Sequence, residues 1–122
     1  MSLRVTTSKI EPNVVVLHLA GIMAVGQETD ALESLLGDLL RRGNRKLIFD
    51  LAAVVEIDAD AALFLVHCFF AARGGGGELR FAAAKGGVAR PFRKTMLDTF
   101  LPFDPTVAAA LEHLRGSSQT GA

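Results

Sequence analysis

Two carboxylates one residue apart, Asp58 and Asp60, stand where the run IDADAALFLV passes from a strand-like hydrophobic stretch into a helix-like one. Acids in that position can serve as acid and base, ligate a cation, cap a helix, or form part of a surface that another protein reads. Acid–base work needs a pocket and substrate-recognition groups around the pair, and no neighbouring motif announces them. A divalent ion takes more oxygens than this pair offers. As an N-cap, Asp58 would accept a backbone N–H two or three residues on, an interaction whose loss costs about 0.5–2 kcal/mol. Asp60 would then sit in the first helical turn, favoured by the helix dipole by roughly 0.3–1 kcal/mol. Both acids therefore have a sufficient structural role.

The other chemically capable side chains point the same way. His18, His67 and His113 have no ligand-type spacing, so no metal site is expected. His67 reads as a partly buried, hydrogen-bonded ring within an apolar helix. Asp60 and His67 are two helical turns apart, about 10.5 Å, too far for a direct hydrogen bond. Cys68, beside Phe69 and Phe70, lacks the cationic or helix-N-terminal setting that makes a thiolate, and reads as an inert core residue. The serines form no G-x-S-x-G elbow and suggest no triad. Arg90, Arg93 and Lys94 read as a solvated helix face. The four glycines from Gly74 to Gly77 lack the lysine and hydroxyl of a P-loop and read as a flexible connection.

Composition narrows the class. A chain of 122 residues, half of them hydrophobic, fits one domain with a two-layer core. Thirteen basic and thirteen acidic side chains cancel, leaving no excess charge for a phosphate backbone, so nucleic acid is not an expected partner. A lone cysteine fits a reducing compartment. The start, MSLRVTTSKIEPN, lacks the basic-then-apolar order of a signal peptide, and the longest apolar tract is too short to span a bilayer. A cytoplasmic protein without membrane insertion is expected. Mean hydropathy of +0.35 is high for such a chain and hints at apolar surface kept for a partner.

Periodicity supplies the elements that must position these groups. Residues 3–10 and 13–20 read as two strands joined at Glu11-Pro12-Asn13. The β-branched run VVVLHLA suits a strand covered on both faces. Leu32, Leu35, Leu36, Leu39 and Leu40 recur on one helix face, with Gly43-Asn44 as a left-handed stop. Residues 46–51 (KLIFDL) form a short strand, followed by a loop over 52–56. Residues 61–72 read as a helix with little exposed surface, and ELRFA at 78–82 as a strand. A polar helix over about 88–98 tolerates Pro91 only in its first turn. Asp104-Pro105 reads as cap and first turn of a last helix, closed by Gly116. The domain spans 1–116, and 117–122 is expected to be a disordered tail. Strands alternating with helices imply parallel pairs with right-handed crossovers behind an antiparallel hairpin.

The order of these parts resembles a STAS domain, the module of bacterial anti-sigma-factor antagonists and of sulfate-transporter tails. The likeness runs from about residue 3 to 114. It is carried by Gly21, the leucine-rich helix, LIFDLAAVVEID before the apolar helix, GGELRF, and LDTFLPFDPTVAAAL. The resemblance implies an α/β, STAS-like fold: a mixed sheet of about four to five strands with an N-terminal hairpin, covered by about four helices. In the antagonist branch the central motif is aspartate, serine, a small polar residue and glycine, and a partner kinase phosphorylates the serine. Here the motif reads Asp58-Ala59-Asp60-Ala61. Asp58 matches the leading aspartate, Ala59 replaces the phosphorylated serine, and Ala24 stands where an aspartate often follows the second strand.

Three functions stay open at this point. The first is a non-catalytic interaction module for signalling and transcription regulation, without a phosphorylation site. It would dock a kinase-fold anti-sigma factor or related serine kinase through Asp58, Ala59, Asp60, Ala61, Ala62 and Leu63. The second is a regulatory STAS subunit bound to the ATPase of an ABC-type lipid transporter. The third is a small-molecule-binding domain using Asp58, Asp60 and His67. No enzyme and no cofactor are expected, and a homodimer is compatible with the first two.

Overall fold

The computed structural model describes residues 2–10 and 12–120, with side chains described as far as residue 116. Five strands form one sheet in the order β1-β2-β3-β4-β5: β1 Leu3–Ile10, β2 Val14–Met23, β3 Lys46–Ile57, β4 Glu78–Ala82 and β5 Phe103–Asp104. The β1–β2 hairpin is antiparallel and every later neighbour is parallel. Four helices join or follow the strands: α1 Gln27–Arg41, α2 Ala59–Gly74, α3 Gly86–Lys94 and α4 Val107–Thr120. The expected fold class is the one found.

Strand alternation sorts the apolar residues into two cores. Val15, Leu17, Leu47, Phe49, Leu79 and Phe81 face a large cluster with Leu32, Leu36, Leu65 and Phe92 from α1, α2 and α3. Their neighbours Val14, Val16, Ile48 and Ala82 meet Ala110 and Leu114 of α4 on the other face. His18 breaks the VVVLHLA run because it follows Val16 on that second face and is only partly covered.

Several elements run differently from the sequence expectation. The loop foreseen over 52–56 is strand: β3 continues beside the end of β2, pairing Ala53 with Ala20, Val54 with Gly21 and Ile57 with Met23. Two register shifts insert extra residues into β3 there, so burial recurs at Leu51, Val54 and Ile57 and the two-residue alternation disappears. Gly21 turns β2 at φ +106°, where a Cβ would lie 2.2 Å from the carbonyl oxygen of Ser2. The four glycines are a fixed stop rather than a flexible connection. The Gly76 N–H donates to Arg73 O (3.0 Å) and the Gly77 N–H to Ala72 O (2.8 Å), a Schellman end. The same pattern ends α1, where the Gly43 N–H donates to Leu40 O and the Asn44 N–H to Leu39 O, each 3.0 Å.

At the C-terminal side, Pro91 lies in the second turn of α3, not the first. The carbonyl it leaves without a donor belongs to exposed Gly87, which water can reach. Asp104 is not a helix cap. It is a buried strand residue, and Thr106 caps α4 by accepting the Ala109 N–H at 3.0 Å. The last helix passes Gly116, foreseen as its end, because one glycine lowers helix stability by only about 1 kcal/mol and no left-handed stop forms there. Helix therefore covers 117–120 of the segment expected to be a disordered tail, and residues 121–122 lie outside the described residues.

Candidate functional site

The start of α2 is organised by Asp58. Its backbone is extended (φ −92°, ψ 175°), and its Oδ1 accepts the Ala61 N–H at 2.8 Å while its carbonyl accepts the Ala62 N–H at 3.0 Å. This is the cap expected from the sequence. Asp60 lies exposed in the first turn and makes no side-chain hydrogen bond among the described residues. Of the six residues proposed from sequence to meet a partner, Asp58, Ala59, Asp60 and Leu63 are exposed. Ala61 and Ala62 are not: they are 0% and 4% exposed, and their methyl groups pack α2 against the core.

Ala59 and Leu63 open onto a groove of about 400 Å³ between α2 and α3. Pro91 and Leu97 continue its apolar lining, and Arg90 and Lys94, one helical turn apart on α3, add positive charge. Sequence reading treated these two cations as a solvated face. Their spacing was visible, but their position beside α2 depends on packing between elements distant in the chain.

The expectation that α2 has little exposed surface is corrected. Ala61, Leu65, Cys68 and Ala72 are fully buried, whereas Leu63 is 60% and Phe70 55% exposed. A helix apolar all round gives no sign of which side is covered; here only the sheet-facing side is. Phe70 meets Phe100 at a ring distance of 6.2 Å, and Phe100 is itself half exposed.

Other candidate groups do not converge on this site. His67 is exposed rather than partly buried, and it pairs with Glu33 of α1 at 2.5 Å, a surface bridge between helices. Burial, and secondarily the charge of Glu33, push the Cys68 thiol up to about 12, which fits an inert core residue. His113 and Arg80 both contact buried Asp104, at 2.6 Å each, on the α4 face of the sheet. His18 lies between Ser8 and Asp50 at 2.8 Å from each. These three groups come from three separate strands and share no local motif, so sequence reading did not bring them together. Among the described residues no group of three or more His, Cys, Asp or Glu side chains is placed to hold a metal. No described helix is long and apolar enough to cross a membrane.

Comparison with known proteins gives a consistent result. The family model of the STAS domain matches residues 6–110. A search of curated proteins found no match. Among solved structures, an anti-sigma factor antagonist from Mycobacterium paratuberculosis aligns with TM-score 0.78 at 24% identity, covering 93% of this chain and 95% of that one. A protein of Thermotoga maritima, described as an anti-sigma factor antagonist, aligns with TM-score 0.80 at 20% identity, covering 91% and 94%. A variant of RsbS from Moorella thermoacetica aligns with TM-score 0.78 at 18% identity, covering 95% and 98%.

Proposed function

The chain belongs to the STAS domain family, and we propose that it is a protein-docking module of the anti-sigma-factor-antagonist type. On this reading the start of α2 binds a kinase-fold anti-sigma factor or a related regulator without the family's phosphorylation switch, because Ala59 has no hydroxyl. The observation that carries the reading is the continuous exposed surface formed by Asp58, Ala59, Asp60 and Leu63 with the adjoining α3 groove. Such a surface asks no bond-making of the docking residues. It offers a capped helix end, an apolar anchor at Leu63 and two cations at Arg90 and Lys94. Interface cores favour apolar anchors with charge at the rim, and this arrangement has both.

The test mixes the purified protein with kinase-fold anti-sigma factors from the same genome on an affinity column. Retention of the wild type and loss of retention by Leu63→Asp are expected. An exposed leucine contributes little to folding, so Leu63→Asp remains folded. If none of these partners is retained, or Leu63→Asp binds as well as wild type, the reading fails. Ala59→Ser in the same assay with ATP should gain one phosphate at position 59, while the wild type gains none there.

A further inference from the structure

We propose that Ser8, His18 and Asp50 form a second functional site, a base-activated serine that accepts acyl groups from small activated esters. The three side chains come from β1, β2 and β3, on the sheet face opposite α2. The α4 helix covers Val14, Val16 and Ile48 on that face but leaves Ser8 exposed, and the His18 and Asp50 side chains keep 41% and 19% of their surface.

The arrangement of the three groups carries the proposal. An ionised carboxylate can only accept, so Asp50 Oδ2 takes the Nδ1–H of His18 at 2.8 Å. When the ring is neutral, that tautomer leaves Nε2 to accept from the Ser8 hydroxyl 2.8 Å away. The second oxygen of Asp50 accepts the Ala52 N–H at 3.0 Å, which holds the carboxylate in place. This is the order of a nucleophile, a general base and a positioning residue, recognised by geometry and not by chain order.

In the acylation step Ser8 Oγ bonds to the ester carbonyl carbon while its proton passes to His18 Nε2. The bond from that carbon to the leaving oxygen breaks, and the departing alkoxide or phenolate takes the proton from His18. Water then reverses the sequence: it gives a proton to His18, attacks the acyl carbon, and releases the carboxylic acid with the proton returning to Ser8. Ser8 is exposed and His18 only partly covered, so the site suits small esters with good leaving groups. General-base assistance alone accounts for about 10²–10⁴-fold in rate.

A fluorophosphonate probe tests the nucleophile, with labelled positions mapped by mass spectrometry. Ser8 is expected to react at least ~10²-fold faster than exposed Ser34, the internal control. His18→Gln should bring Ser8 down to the Ser34 rate. Asp50→Asn should slow it and Asp50→Glu should restore part of it, a pattern that mere support of the sheet would not produce. Hydrolysis of p-nitrophenyl acetate should be faster for wild type than for Ser8→Ala, whose exposed edge position keeps the variant folded. Equal labelling of Ser8 and Ser34, an unchanged rate in His18→Gln, or equal hydrolysis by wild type and Ser8→Ala would overturn the proposal. None of these outcomes bears on docking at α2, which lies on the other face.

Discussion

Replacing Asp58 with alanine removes the acceptor that holds the Ala61 N–H at 2.8 Å. Ala61 is 0% exposed, so water cannot readily take the place of the lost carboxylate. The cost therefore belongs in the upper half of the range for N-caps, about 1–2 kcal/mol. Unfolding entropy near ~2.1 cal/mol/K per residue gives about 0.26 kcal/mol/K for 122 residues, so the midpoint should fall by roughly 4–8 °C. Asp58→Asn keeps an oxygen for the Ala61 N–H and loses only the favourable charge at the helix start. It should cost about 0.3–1 kcal/mol. Asp60→Ala loses a dipole interaction but no side-chain hydrogen bond and gains helix propensity, so it should stay within about 0.5 kcal/mol of wild type. Thermal unfolding followed by circular dichroism reads all three. A fall of less than about 1 °C for Asp58→Ala, or equal losses for Asp58→Ala and Asp58→Asn, would refute the claim that the cap explains this aspartate.

Other perturbations probe the framework around the site. Gly21→Ala places a methyl group 2.2 Å from the Ser2 carbonyl oxygen at a positive φ, so urea unfolding should show a loss of at least ~2 kcal/mol with little change in slope. Asp104→Leu strands the Arg80 guanidinium, whose side chain is only 20% exposed, and should cost about 3 kcal/mol. Arg80→Met combined with Asp104→Leu should recover much of that loss, and simple addition of the two single effects would contradict the pairing. The Cys68 thiol, pushed up to about 12 from an ordinary 9.0, keeps its proton in the folded state after the unfolded chain has lost it. Its contribution is fully present below pH 9 and is lost as pH rises from about 9 to 12, at up to ~1.4 kcal/mol per pH unit. Cys68→Ala should flatten that part of the pH–stability curve.

The sequence carries those parts of the fold that local periodicity encodes. The leucine face of α1, the β1–β2 hairpin, the Asp58 cap and the strand ELRFA were all legible because each rests on neighbours within a few residues. The second half of β3 was hidden because its bulges convert a two-residue pattern into a three-residue one at Leu51, Val54 and Ile57. Asp104-Pro105 misled because the same aspartate that suits a cap also suits an ion pair, and Arg80 lies twenty-four residues away. At the candidate site, Asp58 and Leu63 could be read from the motif and the helix. The groove they share with Arg90 and Lys94 could not, because it exists only where α3 packs beside α2. The Ser8–His18–Asp50 chain was hidden for the same reason: three strands must align before the three groups meet.

The role of Asp60 follows from charge and exposure. In related antagonists, the resemblance implies, a phosphate beside this helix start would add about −1.5 to −2 charges. Asp60 supplies one fixed charge, and its side chain is exposed. Two unit charges 4 Å apart in water interact by only about 1 kcal/mol, and salt screens them further. Removing the Asp60 charge should therefore change affinity for a kinase-fold partner by at most about fivefold. Leu63→Asp should have a much larger effect, because it places a charge in the apolar centre of the proposed contact. Titration calorimetry with a captured partner separates the two cases at low and physiological salt. If Asp60→Ala tightens binding by more than about tenfold, equivalent to ~1.4 kcal/mol, then Asp60 imitates a phosphate after all and the surface is one held permanently repelled.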